Sequence, residues 1–456
     1  MTPDEMIQLT FEAKDKLRYE QPLDLDKASD RSLLVELNDA RGEFNQNKLL
    51  FELGVVGIDA TPHLHGSNNN KYILFGGHRG CGKSTELRRL AKKLHRPELY
   101  YVVFVDALTE LDICNLRYCD ILLAQAKVLM EQLQRDNIKV EQAFLSRLEN
   151  WFAQRVKTKL TEQQFSTKLE AGVELKAGLP FVGNLFAKLT NAISFGSTHK
   201  DEIREIVRNS YGEFSDAFNF FIQHVNKQLN AANKAKKIVF IVDGTDRLPS
   251  IEAEDFFTRN IDQLTQIHSC FIYCTPIHIL VENGKIHEAF KVFWLPMVKI
   301  AEKNSSDYFA VPLNKLSEFI TKRVDARLFV ADTVTHNLLT YNAVHLELIK
   351  HSGGHIRDLI RLLDYCLAET LGQKKIDLIV AKQAIKQLAN DYRRVILEND
   401  YALLIDIDSK DKNHTPVSDQ SRRLLYLLVL LEYNPYWWQS HPAVQTLAAY
   451  QQALHP

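Results

Sequence analysis

The sequence has no excess of charge of either sign. Its 456 residues include 56 Lys and Arg against 57 Asp and Glu, which gives a formal net charge of -1. A protein that binds nucleic acid with its whole surface would be clearly basic, so this balance excludes a polybasic or histone-like binder. Any contact with nucleic acid must therefore come from a local patch.

Long apolar runs and a secretion signal are also missing. The longest apolar run, Leu424 to Leu431, is much shorter than the roughly 18 residues typical of a membrane span. The N-terminus is acidic and then amphipathic, without the basic and apolar regions of a secretory signal. We therefore expect a cytoplasmic protein without a membrane span.

Cysteine is scarce, and its spacing does not suit metal binding or cross-linking. The 6 cysteines include two close pairs, Cys114 with Cys119 and Cys270 with Cys274. Neither pair has CxxC spacing or a His-rich neighbourhood. We expect free, mostly buried thiols instead of a zinc or disulfide site.

Apolar runs and helical periodicity predict an α/β fold. The predicted strands are 71–75, 100–105, 238–242 and 271–274, and segments with helical spacing separate them. Continuous Val, Ile and Phe runs of this kind are typical of a parallel sheet covered by helices on both faces.

The chain divides into four predicted parts. They are a helical segment at 1–70 ending in a polar turn at 63–70, an α/β core at 71–312 with a helical insertion at about 141–236, a helical lid at 313–395, and a small C-terminal domain at 396–456 that contains a polar linker at 406–420. The Gly-rich middle of the insertion, Ala171 to Ser197, leaves two interpretations open. It is either a mobile element that contacts a partner, a neighbouring subunit or a membrane surface, or a helical subdomain with a small core of its own.

The strongest motif follows the first predicted strand and opens a helix. It consists of Gly77, His78, Arg79, Gly80, Cys81, Gly82, Lys83 and Ser84, followed by Thr85. This order fits G-x-x-x-x-G-K-[ST], whose glycines turn backbone N–H groups around the phosphates of a nucleotide. Lys83 is expected to reach the β- and γ-phosphates and Ser84 to bind Mg²⁺, while Thr85 stabilises the start of the helix.

Three further residues follow predicted strands in the order that phosphate chemistry requires. Asp243 ends the strand 238–242 and is expected in the Mg²⁺ shell. Asp246 polarises the attacking water or caps the loop. Thr275 contacts a γ-phosphate or belongs to an ordinary turn before Pro276.

An arginine at the start of a later helix is the last candidate. Gly353 and Gly354 precede a segment in which Arg357 falls in the first helical turn. A planar guanidinium binds phosphate oxygens through two hydrogen bonds, so Arg357 either lies over the nucleotide or is a surface residue.

Together these four motifs resemble the P-loop, metal-binding strand, sensor-1 and sensor-2 elements of AAA+ ATPases. In that order they read GHRGCGKST, IVFIVDGTD, YCTP and SGGHIRDLIRLL. The lid is similar to that of origin-recognition initiators, and the spacing of Asp243 and Asp246 resembles the STAND ATPases. The closest general likeness is to bacterial AAA+/STAND-type ATPases of phage-defence and other conflict loci. The resemblance implies ATP and Mg²⁺ as ligands, a homo-oligomer and an effector or partner protein.

The sequence departs from these families where Gly244 follows Asp243, since AAA+ proteins have adjacent Asp and Glu there. The departure favours a slow nucleotide switch. Arg323 and Arg327 are candidates for the arginine that completes a neighbouring subunit's site, although a surface role is the simpler interpretation for both. A DNA-stimulated loader or motor and a non-hydrolysing nucleotide-bound scaffold stay open as alternative functions.

The C-terminal aromatics, including Tyr433, Tyr436, Trp437 and Trp438, also allow two interpretations. They fill the core of a small domain, which we favour, or they form a platform for a partner or nucleic acid in a winged-helix-like domain. The segment contains few Lys or Arg, which weakens the case for DNA binding.

Overall fold

The computed structural model describes residues 1–42, 44–58, 60–65, 70–157, 186, 190, 200–281, 285–336 and 339–455. Two compact units are present. The sheet unit contains residues 47–76 and 87–293, and the lid unit contains residues 1–46, 77–86 and 294–456. The domain boundaries predicted from the sequence stay predictions. Across the described ranges, no helix combines the length and the apolar character needed to cross a membrane.

The strands are β1 Val55–Val56, β2 His63–Leu64, β3 Lys71–Gly76, β4 Tyr100–Asp106, β5 Lys237–Asp243, β6 Cys270–Thr275, β7 Lys291–Trp294, β8 Thr333–His336, β9 Leu339–Asn342, β10 Leu430–Asn434 and β11 Trp437–Ser440. The helices are α1 Pro3–Lys16, α2 Ala28–Ser32, α3 Gln46–Glu52, α4 Lys83–Leu94, α5 Ala107–Glu110, α6 Tyr118–Arg135, α7 Gln142–Trp151, α8 Lys200–Asn209, α9 Tyr211–Ala231, α10 Ser250–Glu254, α11 Ile261–Thr265, α12 Ile277–Leu280, α13 Lys285–Ala289, α14 Ala310–Arg323, α15 Ala343–Ser352, α16 Ile356–Thr370, α17 Leu378–Arg393, α18 Asp400–Ser409, α19 Asp419–Tyr426, α20 Pro442–Gln445 and α21 Ala448–Leu454.

The central sheet has the strand order β4-β5-β6-β3-β7. The pairs β4/β5, β5/β6 and β3/β6 are parallel, which confirms the predicted α/β class and parallel sheet. All four predicted strands are present, each extended by one or two residues. The short strand β7 was not predicted, because its side chains are partly exposed and it lacks a long apolar run.

The sheet is buried because both of its faces carry apolar side chains. Residues Ile238 to Val242 of β5 are all fully buried, as are Phe271 to Cys274 of β6. Stacked rings join the strands, with the centroids of Phe240 and Phe271 5.0 Å apart. Stacking of this kind adds specificity to apolar burial and favours the register in which Phe240 is paired with Phe271.

The ends of the insertion form a helical layer on the sheet unit. Trp151 donates from Nε1 to Ser210 Oγ at 3.0 Å and packs on Phe214. The buried carboxylate of Asp120 in α6 accepts hydrogen bonds from the guanidinium of Arg204 in α8. These contacts support the interpretation of the flanks as a helical subdomain. The segment Ala171 to Ser197 lies outside the described residues apart from Phe186 and Thr190.

The lid unit is mainly helical, with two features that the sequence did not predict. The hairpin β8/β9 interrupts the predicted helical lid between α14 and α15. The predicted linker 406–420 begins inside α18, which continues to Ser409. In the sheet unit, the predicted polar turn at 63–70 begins with strand β2, which pairs with β1. Short strands of two to four residues leave a weak periodic signal, which explains why the sequence pattern missed them.

The C-terminal aromatics belong to a core. Trp437 and Trp438 of β11 are 1% and 2% exposed, and Tyr433 of β10 stacks on Trp437. Tyr436, at the turn between the two strands, is the exposed member. The preferred interpretation that these aromatics fill a core is therefore confirmed, and the aromatic platform is wrong for Tyr433, Trp437 and Trp438, while the separate C-terminal domain stays a prediction.

Five of the six cysteines are buried and all are free, as the sequence predicted.

Candidate functional site

The loop between β3 and α4 has a conformation that requires glycine. Gly77, Gly80 and Gly82 have φ of 143°, 89° and 105°, a region that side chains disfavour. A Cβ at Gly77 would lie 2.6 Å from the carbonyl oxygen of Leu295, and one at Gly80 would lie 2.7 Å from Cβ of Arg357. The glycines of the motif therefore permit both the turn and its close packing within the lid unit.

Lys83 begins α4 and folds back over this loop. Its side chain is buried, and Nζ donates to the carbonyl oxygens of Gly77 at 2.9 Å and His78 at 2.8 Å. The ammonium is thereby held against the loop at the N-terminus of a helix, where the backbone also provides positive potential.

The carbonyl groups of the loop bond to the surrounding elements of the lid unit. Nε2 of His355 lies 2.8 Å from the carbonyl oxygen of Arg79, and the backbone N–H of Arg357 donates to Gly80 at 3.3 Å. Arg357 was predicted to lie near the loop, and its backbone and Cβ do so. The role of its guanidinium toward a nucleotide stays a prediction.

His78 makes a contact that the sequence did not suggest. Its ring is 1% exposed, and Nε2 accepts the backbone N–H of Glu432 in β10 at 2.7 Å. Burial lowers the pKa of His78 well below its ordinary value, which agrees with a neutral ring that accepts a hydrogen bond. The expectation that His78 contacts a nucleotide therefore applies to its backbone.

A buried carboxylate organises the helix that packs on the loop. Oδ2 of Asp358 lies 2.8 Å from Nδ1 of His355, 2.5 Å from the Tyr392 hydroxyl and 3.2 Å from Nε2 of His441, and Oδ1 accepts from Arg361 at 2.9 Å. Burial alone would raise the pKa of Asp358, but the neighbouring His355 and His441 lower it well below its ordinary value. Helices α16 and α17 and His441, at the start of α20, therefore meet at one charged group.

Replacing Asp358 by alanine is expected to lower the free energy of unfolding by about 3–5 kcal/mol, because it leaves buried cationic and polar partners without their acceptor. Urea denaturation at pH 7 measures this loss. Asp391→Ala is the matched control, since Asp391 is half-exposed and pairs with the same Arg361. That control is expected to cost less than about 1 kcal/mol. Equal losses in the two variants would contradict the central role of Asp358.

The lowered pKa of Asp358 also predicts how the stability of the fold changes with pH. Because its pKa is lower in the folded state, its contribution to stability is present above about pH 4 and is lost as the pH falls toward the folded pKa.

In the sheet unit, polar side chains gather at the carboxyl edge of the parallel strands. Asp106 at the end of β4 is paired in register with Asp243 at the end of β5, and Thr275 at the end of β6 is paired with Gly76 of β3. Ligands of open α/β sheets bind outside this edge, so the sequence-predicted Asp243 and Thr275 stand where such chemistry occurs.

Asp243 belongs to a group of three side chains that lie close enough to approach one cation. Ligand atoms of Asp243, Asp246 and Cys274 lie within 4.8 Å of one another. Gly244, with φ of 85°, turns the chain so that Asp246 returns toward Asp243, and Thr245 Oγ1 donates to the carbonyl oxygen of Cys274. Mg²⁺ prefers oxygen ligands, so the two carboxylates fit this ion whereas the thiol does not.

Thr275 is fully buried, and its Oγ1 has no hydrogen-bond partner among the described residues. A buried hydroxyl without a partner is costly, and it marks this strand end as a place that a polar ligand would stabilise. The missing side chain of Gly76 leaves room for it, since a Cβ there would lie 3.2 Å from Cγ2 of Thr275.

The predicted site residues are divided between the two units. The residues 77–86 and Arg357 belong to the lid unit, whereas Asp243, Asp246 and Thr275 belong to the sheet unit. Sequence reasoning missed Asp106, and also Arg41, which donates to the carbonyl oxygen of Cys81 in the loop. Asp106 has a detectable signal, because it ends an apolar strand as Asp243 does, but Arg41 stands in a segment with no motif.

The two candidate arginine fingers have different environments. Arg323 is 4% exposed and donates to the carbonyl oxygens of Leu33 and Phe319, and burial lowers its pKa to about 9. It is therefore neither a surface residue nor placed to reach a neighbouring subunit. Arg327 is exposed and pairs with Asp325 and Glu5, which agrees with a surface role.

Comparison with known proteins adds little to this geometry. No protein-family model matches the chain, and no curated protein matches it. Among solved structures, the chain aligns with the RuvB Holliday junction branch migration motor of Thermotoga maritima. The alignment covers 94% of this chain and 97% of RuvB, at 10% identity and a TM-score of 0.33. A likeness at this score carries no argument about fold or function.

Proposed function

We propose that this protein is a P-loop ATPase of the AAA+/STAND kind that binds ATP with Mg²⁺ and hydrolyses it slowly. The observation that carries the proposal is the loop Gly77–Gly82, which joins a central strand of a parallel sheet to helix α4 with Lys83 folded over it. This strand-loop-helix arrangement is the one in which backbone N–H groups and a lysine hold phosphates.

Each residue of the proposed site has one role. Lys83 and the backbone of 77–84 bind the β- and γ-phosphates, and Thr85 supports the start of α4. Ser84 and Asp243 would hold Mg²⁺, which when bound neutralises charge on the phosphates. Asp246 accepts a proton from the attacking water, Thr275 orients that water or the γ-phosphate, and Arg357 binds phosphate oxygens. These assignments follow residue by residue from the family resemblance and are part of the proposal.

Slow hydrolysis follows from the residue that comes after Asp243. An adjacent glutamate would be the general base of an AAA+ site, but Gly244 stands there and the next carboxylate is Asp246. A general base contributes about 10²–10⁴-fold to a rate, so a less suitable one leaves the bound nucleotide long-lived. A long-lived nucleotide suits a switch better than a motor.

The cellular part of the proposal is a cytoplasmic homo-oligomer that regulates an effector or partner protein, with a role in anti-phage defence implied by the resemblance. We expect a non-hydrolysable ATP analogue to increase the molar mass of the protein relative to the ADP-bound and nucleotide-free forms. Size-exclusion chromatography with light scattering measures this directly. The same mass in all three states would count against nucleotide-dependent assembly.

The central test is whether the full-length protein binds ATP and releases phosphate. Binding with slow release supports the proposal, and binding without release would replace it by a nucleotide-bound scaffold. If phosphate release rises strongly with added DNA and this stimulation falls steeply with salt, the protein is instead a DNA-dependent motor. An absence of ATP binding would overturn the proposal altogether.

A further inference from the structure

Arg41 packs on the phosphate loop from the N-terminal segment. It follows the short 3₁₀ turn Asn38–Ala40 and is 3% exposed. Its Nη2 donates to the carbonyl oxygen of Cys81 at 2.6 Å, and Nη1 donates to the carbonyl oxygen of Pro296. A Cβ on Gly82 would lie 3.3 Å from Nη2, so the absent side chain of that glycine makes room for the guanidinium.

No carboxylate bonds directly to this guanidinium among the described residues, although the buried Glu86 is near enough to raise its pKa. Its described hydrogen bonds go to neutral carbonyl groups, its Nε is buried without a partner, and it forms no ion pair within the described part of the chain. Burial lowers the pKa of Arg41, which is the expected effect of removing a cation from water. A buried charge without a directly bonded counterion costs free energy, and an anion bound nearby lowers that cost.

The hydrogen bond to Cys81 also determines the direction of the next N–H group. All described peptide bonds are trans, so the C=O and N–H of one peptide point in opposite directions. With the Cys81 carbonyl directed at Arg41, the N–H of Gly82 points to the opposite side of the loop from Arg41. His355 acts in the same way on the carbonyl of Arg79, and so directs the N–H of Gly80.

Neither of these two N–H groups has a protein acceptor in the described residues. The backbone N–H of Cys81, between them, bonds to the carbonyl oxygen of His78 instead. The loop therefore presents N–H groups at Gly80 and Gly82 whose direction depends on side chains outside the motif. Arg41 adds a positive charge behind one of them.

We propose that Arg41 is a positioning residue for the nucleotide phosphates, which holds the Cys81–Gly82 peptide with its N–H toward the ligand and whose buried charge the polyphosphate compensates. This inference rests on the proposed function, because it assigns a further residue to the same site. It makes the N-terminal segment part of the nucleotide-binding machinery.

The test compares Arg41→Gln and Arg41→Lys in the full-length protein by calorimetric titration with ATP, ADP and adenosine. Arg41→Gln is expected to weaken ATP and ADP binding at least tenfold and to leave adenosine binding, where measurable, unchanged. Arg41→Lys keeps the charge and one hydrogen bond, so it should recover part of the affinity. In steady-state hydrolysis, KM for ATP should rise while kcat changes less than twofold.

Arg323→Gln is the matched control. Arg323 is also a buried arginine that donates to two carbonyl groups, but those carbonyls belong to Leu33 and Phe319 and not to the loop. Its substitution is expected to lower the melting temperature without changing nucleotide affinity. If Arg41→Gln fails to fold, the comparison of Arg41→Lys with Arg323→Lys takes its place.

The outcomes separate this inference from the proposed function. If the unaltered protein binds neither ATP nor ADP, the proposed function fails. If it binds them and the Arg41 variants bind equally well, or if the Arg323 variant loses as much affinity as the Arg41 variant, only the role of Arg41 is overturned.

Discussion

Replacing Lys83 by alanine is expected to abolish nucleotide binding. Nζ is held by the carbonyl groups of Gly77 and His78, so the ammonium is already positioned at the loop before a ligand arrives. Removing one partner of a buried charged pair costs about 2–5 kcal/mol, which corresponds to a loss of roughly 30-fold to several thousand-fold in affinity. Calorimetric titration with ATP and ADP measures the loss.

Two control measurements make this result interpretable. Lys92→Ala removes an exposed lysine from the same helix α4 and should bind ATP as the unaltered protein does. The melting temperature of nucleotide-free Lys83→Ala shows whether the fold survives, since the alanine also leaves two loop carbonyls without their donor. Undiminished ATP binding by a folded Lys83→Ala protein would mean that the loop is not the nucleotide site.

The second large effect concerns Asp246. Changing Asp246 to asparagine removes the proton acceptor while preserving the size of the side chain, so ATP should still bind whereas phosphate release should fall about 100-fold or more. Release of phosphate in single-turnover reactions measures the chemical step directly. Asp262→Asn, an exposed aspartate of α11, serves as the control and should be without effect.

Comparison with Asp243→Asn separates the two carboxylates. Asp243 is assigned to Mg²⁺, so its replacement should raise the Mg²⁺ concentration needed for activity, whereas Asp246→Asn should leave that requirement unchanged. If the rate of ATP turnover is unchanged in Asp246→Asn, Asp246 only caps the loop and is not the proton acceptor. Both carboxylates lie in the same cluster with Cys274, so the difference between the two variants is the informative quantity.

The strands of the central sheet could be predicted because their apolar runs are long. In a parallel sheet with both faces covered, each strand of six or seven residues must be apolar along its whole length, and this appears in the sequence as a continuous run. Strand β7 and the hairpin β8/β9 are shorter and half exposed, and so they leave no such run. The sequence therefore predicts the centre of the sheet better than its edge.

The glycine-rich loop 77–82 was predictable for a related reason. Its chemistry depends on backbone geometry over a few consecutive residues, so Gly77, Gly82, Lys83 and Ser84 have to occur at set positions along the chain. Arg41 has no such constraint, because any segment that passes the loop can supply a guanidinium. Its partner Cys81 is 40 residues away, and His355 and Asp358 meet His441, which is distant in the sequence, only after folding.

By itself, the sequence determined that this protein has a parallel α/β sheet and a glycine-rich loop suited to phosphates, since both are encoded by local periodicity and spacing. Only the tertiary structure decided which side chains hold that loop: His355 at Arg79, Arg41 at Cys81, and His78 against Glu432. The reason is physical. Whether a buried charge or an N–H group has a partner depends on segments brought together from distant parts of the chain, and no local pattern records that.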